Sequence, residues 1–261
     1  MKIVSDAYDS ATSGRTIELN ILGEQKICNF DCTYCSRGPS QIRISRLKQE
    51  ALFTPVTEIL GEVGRALGKA AQAGQAIDTV LISGNGEPTL HPHFPQIAKL
   101  LIAKRSEMAS TTNGLGRTTK FVVLTNGDQL DDRDMVDALN LFDECIVKID
   151  VGTEVAFKKI NRPLSRSSLE KIILGSRGLK NLASQTVITG GDFSLTNSTQ
   201  LDEWLEVIGM LNPKKVYLQQ AHAPCADPSL KFATEDEVNR ISHWLERRLK
   251  IKAQVDFGSV A

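Results

Sequence analysis

Short apolar runs rich in Val, Ile and Thr alternate along this chain with longer segments whose apolar residues recur every three to four positions. The runs 16–22 (TIELNIL), 79–83 (TVLIS), 121–125 (FVVLT), 145–150 (CIVKID), 185–189 (QTVIT) and 215–219 (KVYLQ) predict strands. The segments 55–73, 94–108, 130–141, 153–159, 168–181, 201–210 and 234–250 predict helices, with Ala, Leu, Glu and Lys in keeping with that reading. Strands alternating with helices are the pattern of parallel β/α units, and six such units follow. The polar stretch 110–120 (STTNGLGRTTK) lacks periodicity and predicts an exposed loop; no repeat of fixed period is present.

Composition narrows the class. A chain of 261 residues with 41% apolar and 24% charged positions can bury a large core, and its length predicts a single domain over residues 1–261. Lys plus Arg equals Asp plus Glu at 31 each, so a phosphate backbone as main partner has no support from bulk charge, although a local basic patch stays open. Five cysteines, three of them within eight residues, argue against a disulfide framework. Neither a signal peptide nor a membrane span is readable, and the expectation is a reducing, cytoplasmic setting.

The chemistry starts at Cys28-Asn29-Phe30-Asp31-Cys32-Thr33-Tyr34-Cys35, just after the first strand. Three thiolates on one short loop can hold three irons of a four-iron cluster and leave the fourth open to an outside ligand. A buried helical stripe is disfavoured by Asn29, Asp31 and the following Gly38-Pro39. A closed zinc site would need a fourth ligand such as His222 or Cys225, and an electron-transfer cluster a fourth cysteine.

The C-x3-C-x2-C loop, with Tyr34 before its last cysteine, resembles the signature of radical S-adenosylmethionine (radical SAM) enzymes. That resemblance implies a partial (β/α)6 TIM-like barrel of the radical SAM type, open on one side. It also implies one 4Fe-4S cluster on Cys28, Cys32 and Cys35, with S-adenosyl-L-methionine chelating the open iron. Reduction by an external donor such as a flavodoxin or ferredoxin would cleave the cofactor to a 5′-deoxyadenosyl radical that abstracts hydrogen from substrate. Tyr34 would pack by the adenine.

Ser83-Gly84-Asn85-Gly86-Glu87-Pro88, after the second strand, reads alone as a Gly-Pro turn at the ligand-binding edge of a parallel sheet. It resembles the family's Gly-Gly-Glu segment, which implies that Gly84, Asn85, Gly86 and Glu87 receive the methionine ammonium. Asn85 stands where the second glycine usually does, which leaves close backbone approach at that position open. Asn126, in an Asn-Gly turn, and Thr189, in Thr189-Gly190-Gly191-Asp192, have similar strand-end placements and are further cofactor candidates.

Lys148 and Asp150 alternate with Ile149 on the face of Ile146, and two charges on a parallel strand point to the barrel mouth. They are the candidates for catalytic contact, with a mutual salt bridge as the plain alternative. Arg162 could bind a carboxylate or phosphate or simply be solvated; Gln219, Gln220, His222 and Cys225 end or follow the sixth strand, and Cys145 reads as packed.

The runs 148–152 (KIDVG) and 160–163 (INRP) resemble small radical enzymes related to the tRNA wybutosine-forming synthase. Members of that type hold a second cluster, for which Cys145 and Cys225 are too few, so the core chemistry carries over without that substrate. The expected function is therefore radical chemistry on a small molecule or nucleoside, with activation or modification of a protein partner as the alternative and tRNA left open. A non-catalytic iron-sulfur or zinc module is the alternative of another class.

Overall fold

The computed structural model describes residues 2–44, 52–111, 118–164 and 166–257, with the side chains of 108–111 left aside. The strands are β1 (Tyr8–Ser10), β2 (Gly14–Leu19), β3 (Ile27–Cys28), β4 (Ile42–Arg43), β5 (Thr79–Ile82), β6 (Lys120–Thr125), β7 (Glu144–Lys148), β8 (Leu182–Ile188), β9 (Val216–Gln220) and β10 (Gln254–Asp256). The helices are α1 (Val56–Gln72), α2 (Phe94–Thr111), α3 (Arg133–Leu139), α4 (Glu154–Ile160), α5 (Leu169–Ser176), α6 (Ser198–Leu211) and α7 (Glu235–Leu249).

Eight strands form one sheet in the order β1-β2-β5-β6-β7-β8-β9-β10, parallel throughout except for antiparallel β1. The six predicted strands are β2 and β5 to β9. Sequence reading missed both edges, because Tyr8-Asp9-Ser10 and Gln254-Val255-Asp256 are three-residue strands without an apolar run. The parallel sheet therefore has a seventh member, β10, which follows the last helix. The curled sheet is a half-barrel: β1 and β10 stay unjoined, yet residues of both line one cavity, and the Asp256 charge reaches Tyr8.

Strand alternation divides the apolar residues into two clusters. Phe121 and Val123 of β6, and Cys145 and Val147 of β7, are fully buried beneath the helices in the main core. On the inner face Val122, Ile146, Ala183 and Tyr217, with Leu81 and Leu124 beside them, form a smaller cluster inside the curl. Helices start at side-chain caps that the sequence supplies: Asp132, Thr153, Ser168, Asn197 and Thr234, the last in a capping box with Glu237. Of the predicted loop 110–120, residues 112–117 lie outside the described residues, 110–111 extend α2, and Lys120 opens β6.

The KIDVG run has a packing reason. A Cβ on Gly152 would fall 2.3 Å from the backbone of Glu203 and Trp204 in α6, so only glycine lets α6 lie on the turn after β7. Buried Trp204 locks that contact by donating Nε1–H to the Ile149 carbonyl at 2.8 Å. Among the described residues, no helix is long and apolar enough to cross a membrane.

Candidate active site

The cysteine loop starts at β3, which with β4 forms a two-stranded sheet apart from the main one, and is held from four sides. At its base β3 pairs with β4, and Ile27 brackets Gly86: Ile27 N–H donates to the Asn85 carbonyl at 3.1 Å, and Glu87 N–H donates to the Ile27 carbonyl at 2.9 Å. Asn126 at the end of β6 donates Nδ2–H to Asn29 Oδ1 at 2.7 Å. After α4, the Ile160 carbonyl accepts Thr33 N–H at 2.9 Å, and Phe30 meets Phe157 edge-on at 5.4 Å. The loop after β9 donates Asp227 N–H to the Thr33 carbonyl at 2.9 Å. Asp31 donates its N–H to the Asn161 carbonyl at 3.2 Å and accepts Ser40 N–H at 2.8 Å, so Asn29, Phe30 and Asp31 are the loop's anchors, which explains their presence in a run that must not become a helix.

The three thiols line one side of a cavity of about 460 Å³ inside the half-barrel. Each sulfur has a nitrogen donor: Phe30 N–H at 3.4 Å from Cys28, Asn161 Nδ2 at 3.6 Å from Cys32, and Lys26 Nζ at 3.1 Å from Cys35. Burial pushes the Cys28 thiol up, reinforced by Cys32 and Glu87, and raises Cys32 to about 11, with the Asp150 carboxylate as second cause. Both sulfurs therefore keep their protons until a metal replaces them.

Glu87 shares this cavity. Its Oε1 accepts Thr89 N–H at 3.1 Å and the hydroxyls of Thr89 and Thr125 at 2.6 Å, and its Oε2 accepts Asn126 N–H at 2.7 Å. Burial nonetheless holds its carboxyl above the ordinary range, the four hydrogen bonds opposing the shift. The neighbouring glycines are compulsory: a Cβ on Gly86 (φ +133°) would sit 1.8 Å from the Ile27 carbonyl oxygen, and one on Gly84 (φ +77°) 2.6 Å from Asn20 Oδ1. Asn85 is accommodated because its side chain donates to the Glu24 carbonyl at 2.6 Å.

Of the two charges at the end of β7, Lys148 lines the cavity on the same face as Ile146, and Asp150 does not line it. The strand ends at Lys148, so alternation no longer governs Asp150, whose side chain is fully buried. Asp150 accepts the Tyr34 hydroxyl, Asn161 Nδ2–H at 2.6 Å and Val187 N–H at 2.8 Å, while Lys148 Nζ lies 3.8 Å away. Burial beside Asp150 raises the Tyr34 phenol well above its ordinary value, so it remains a donor. Lys148 also sits 4.9 Å from the Tyr34 ring centroid and 3.3 Å from Gln185 Oε1.

The fold therefore gathers Cys28, Cys32, Cys35, Tyr34, Gly84, Gly86, Glu87, Asn126 and Lys148 around one cavity. Asn85 and Asp150 stand behind its wall, and buried Thr189, bridged to Phe232, also lies off the lining. His222 borders the cavity, Cys225 donates to the Asp227 carbonyl at 3.1 Å, and Arg162 pairs with Asp227 at 2.5 Å. Sequence reading did not single out Lys26, Asn161 or Gln185, and it placed Gln219 at the end of the sixth strand without a role. Alternation along β8 and β9 places both glutamines inward; nothing local reveals the contacts of Lys26 and Asn161.

A family model described as the radical SAM superfamily matches residues 25–193, more than half of the chain. A UPF0026 protein of Synechocystis sp. is 27% identical over 216 residues, spanning 81% of this chain and 72% of its own. Among solved structures, a radical SAM methyltransferase from Sphaerobacter thermophilus superposes with TM-score 0.65 at 16% identity, covering 92% of this chain; the chain spans 65% of its length. TYW1 with a lysine-pyruvate adduct bound superposes with TM-score 0.62 at 17% identity, covering 91% of this chain and 74% of its own.

Proposed function

Because this chain belongs to the radical SAM superfamily, whose members use a 4Fe-4S cluster and S-adenosylmethionine, we propose that Cys28, Cys32 and Cys35 ligate three irons of one such cluster and that the cavity beside them takes the cofactor and a small-molecule or nucleoside substrate. The observation that carries this reading is the opening of three soft sulfur donors and the Glu87 carboxylate onto one cavity of about 460 Å³. That volume lies within the range of small-molecule sites, roughly 300–1,000 Å³.

The residues fit both groups. Three cysteines are one short of a closed four-iron shell, and a ligand with an amine and a carboxylate can complete it. When bound, the pair supplies reductive cleavage of the sulfonium and hydrogen-atom abstraction by the 5′-deoxyadenosyl group.

This chain's residues bind, orient and exclude water. Glu87 offers its carboxylate to an ammonium, held in place by Thr89, Thr125 and the Asn126 amide, while Gly84 and Gly86 leave room for backbone approach. Tyr34 forms the wall where an adenine would lie. Asp150 and Asn161 act as positioning residues that fix Tyr34 and Cys32. Substrate would meet the inner faces of β7, β8, β9 and β10, where Lys148 pairs in register with Gln185 and Gln219 with Asp256. The Gln219 side-chain amide has no hydrogen-bond partner among the described residues, and Gln185 Nε2 is equally uncommitted. Two neutral amides between a lysine and an aspartate suit a ligand with a donor-acceptor edge, such as a nucleobase. An external one-electron donor of the flavodoxin or ferredoxin type and a cytoplasmic location complete the proposal.

Anaerobic reconstitution with iron and sulfide, then reduction with S-adenosylmethionine present, tests it through release of 5′-deoxyadenosine. A fully loaded cluster that never cleaves the cofactor would favour an iron-sulfur module, and tetrahedral zinc with a fourth remote ligand would displace the cluster altogether.

A further inference from the structure

Lys26 is 4% exposed, and its ammonium forms no ion pair with a carboxylate among the described residues. Its Nζ lies 3.1 Å from Cys35 Sγ and donates to the Gly38 carbonyl. The backbone of Lys26 is anchored at the root of the loop: its N–H donates to Gln41 Oε1 at 2.9 Å, and its carbonyl accepts Ile42 N–H at 3.0 Å. The side chain thus spans the loop from its base to its last cysteine. A buried ammonium is costly unless an anion or strong acceptors surround it. A neutral thiol is a weak acceptor, whereas a metal-bound thiolate carries the missing negative charge.

We propose that Lys26 is a positioning residue that holds Cys35 as an iron ligand and, through a charge-assisted N–H to that sulfur, raises the reduction potential of the cluster. The inference rests on the assignment of Cys35 as a ligand. One-electron reduction adds negative charge that spreads onto the cysteine sulfurs, and donors to those sulfurs stabilise the reduced form more than the oxidised one. Phe30 N–H and Asn161 Nδ2 are neutral donors to the other two cysteines. The donor at Cys35 is the charged one and, at 3.1 Å, the shortest of the three.

The test is a spectroelectrochemical titration of the reconstituted cluster, with dithionite and redox mediators and without S-adenosylmethionine, so that turnover is not involved. Lys26→Met keeps the aliphatic stem and removes donor and charge, Lys26→Arg keeps both, and Lys26→Gln keeps a neutral donor. We expect Lys26→Met to lower the one-electron equilibrium constant by about tenfold, which is about 59 mV, and Lys26→Arg to stay near the wild type. A loaded Lys26→Met with the wild-type midpoint overturns the inference, as does Lys26→Arg falling as far as Lys26→Met. Should Lys26→Met fail to load iron, Lys26→Gln decides: a lowered midpoint supports the proposal, and an unchanged one refutes it. A wild-type chain that takes up no four-iron cluster refutes the ligand assignment itself, before any variant is compared.

Discussion

Replacing Gly86 by alanine tests whether the cofactor segment and the cysteine loop are one mechanical unit. The added Cβ would lie 1.8 Å from the Ile27 carbonyl oxygen and 2.6 Å from its carbon, so β3 must move away by well over 1 Å. That movement breaks the two hydrogen bonds flanking Gly86, Ile27 N–H to the Asn85 carbonyl and Glu87 N–H to the Ile27 carbonyl, at about 1 kcal/mol each. Alanine at φ +133° adds backbone strain of roughly 1–3 kcal/mol. The sum is on the order of 3–5 kcal/mol, and at roughly 2–4 °C per kcal/mol for a domain of this size the melting temperature falls by about 6–20 °C. Because Ile27 adjoins Cys28, iron and sulfide uptake per chain should fall as well. Gly68→Ala in α1 is the control: its Cβ meets nothing within 4 Å, and the helix should gain up to about 1 kcal/mol. Gly86→Ala with wild-type melting and wild-type iron content would refute the reasoning.

Asp150→Ala leaves Tyr34 Oη, Asn161 Nδ2 and Val187 N without their shared acceptor; at about 1–3 kcal/mol for a buried unsatisfied group, melting and iron uptake should drop while 5′-deoxyadenosine formed per loaded cluster holds, and a selective loss of cleavage at full loading would make Asp150 catalytic instead. For Glu87, burial raises the folded pKa above the unfolded value near 4.3. The fold then holds that proton more tightly than the unfolded chain does, so this group's contribution to stability falls as pH rises through the window between the two values. Over the same window affinity for S-adenosylmethionine should rise, as the carboxylate becomes available to the ammonium. Calorimetric titration should show this dependence in the wild type and not in Glu87→Gln; identical pH profiles would remove Glu87 from the ammonium site.

Much of the fold was legible because strands and helices obey local rules. Six β/α units followed from apolar periodicity, and the cap residues at positions 132, 153, 168, 197 and 234 stand where helices begin. The two edge strands were not legible, since three polar-rich residues become a strand only when a neighbour offers its ladder. The placement of Asp150 differs for a related reason. Period-two reasoning holds only while the residue stays in the strand, and β7 ends two residues earlier.

Residue type and spacing were enough to pick out the candidate donors: three cysteines at close spacing, the Gly-Asn-Gly-Glu segment and the order of strands that carries both to one sheet edge. Those features are local, and their chemistry follows from residue type and spacing. How these candidates are held follows from long-range packing. The Asp150 carboxylate receives a tyrosine 116 residues away, Asn126 grips Asn29 across 97, and Asn161 reaches Cys32 across 129. Such pairings depend on where separate strands bring their ends together, and no local periodicity encodes the partner. The Lys26–Cys35 contact spans only nine residues and was equally hidden, because it exists only once the fold buries Lys26 and turns its ammonium toward the half-buried Cys35.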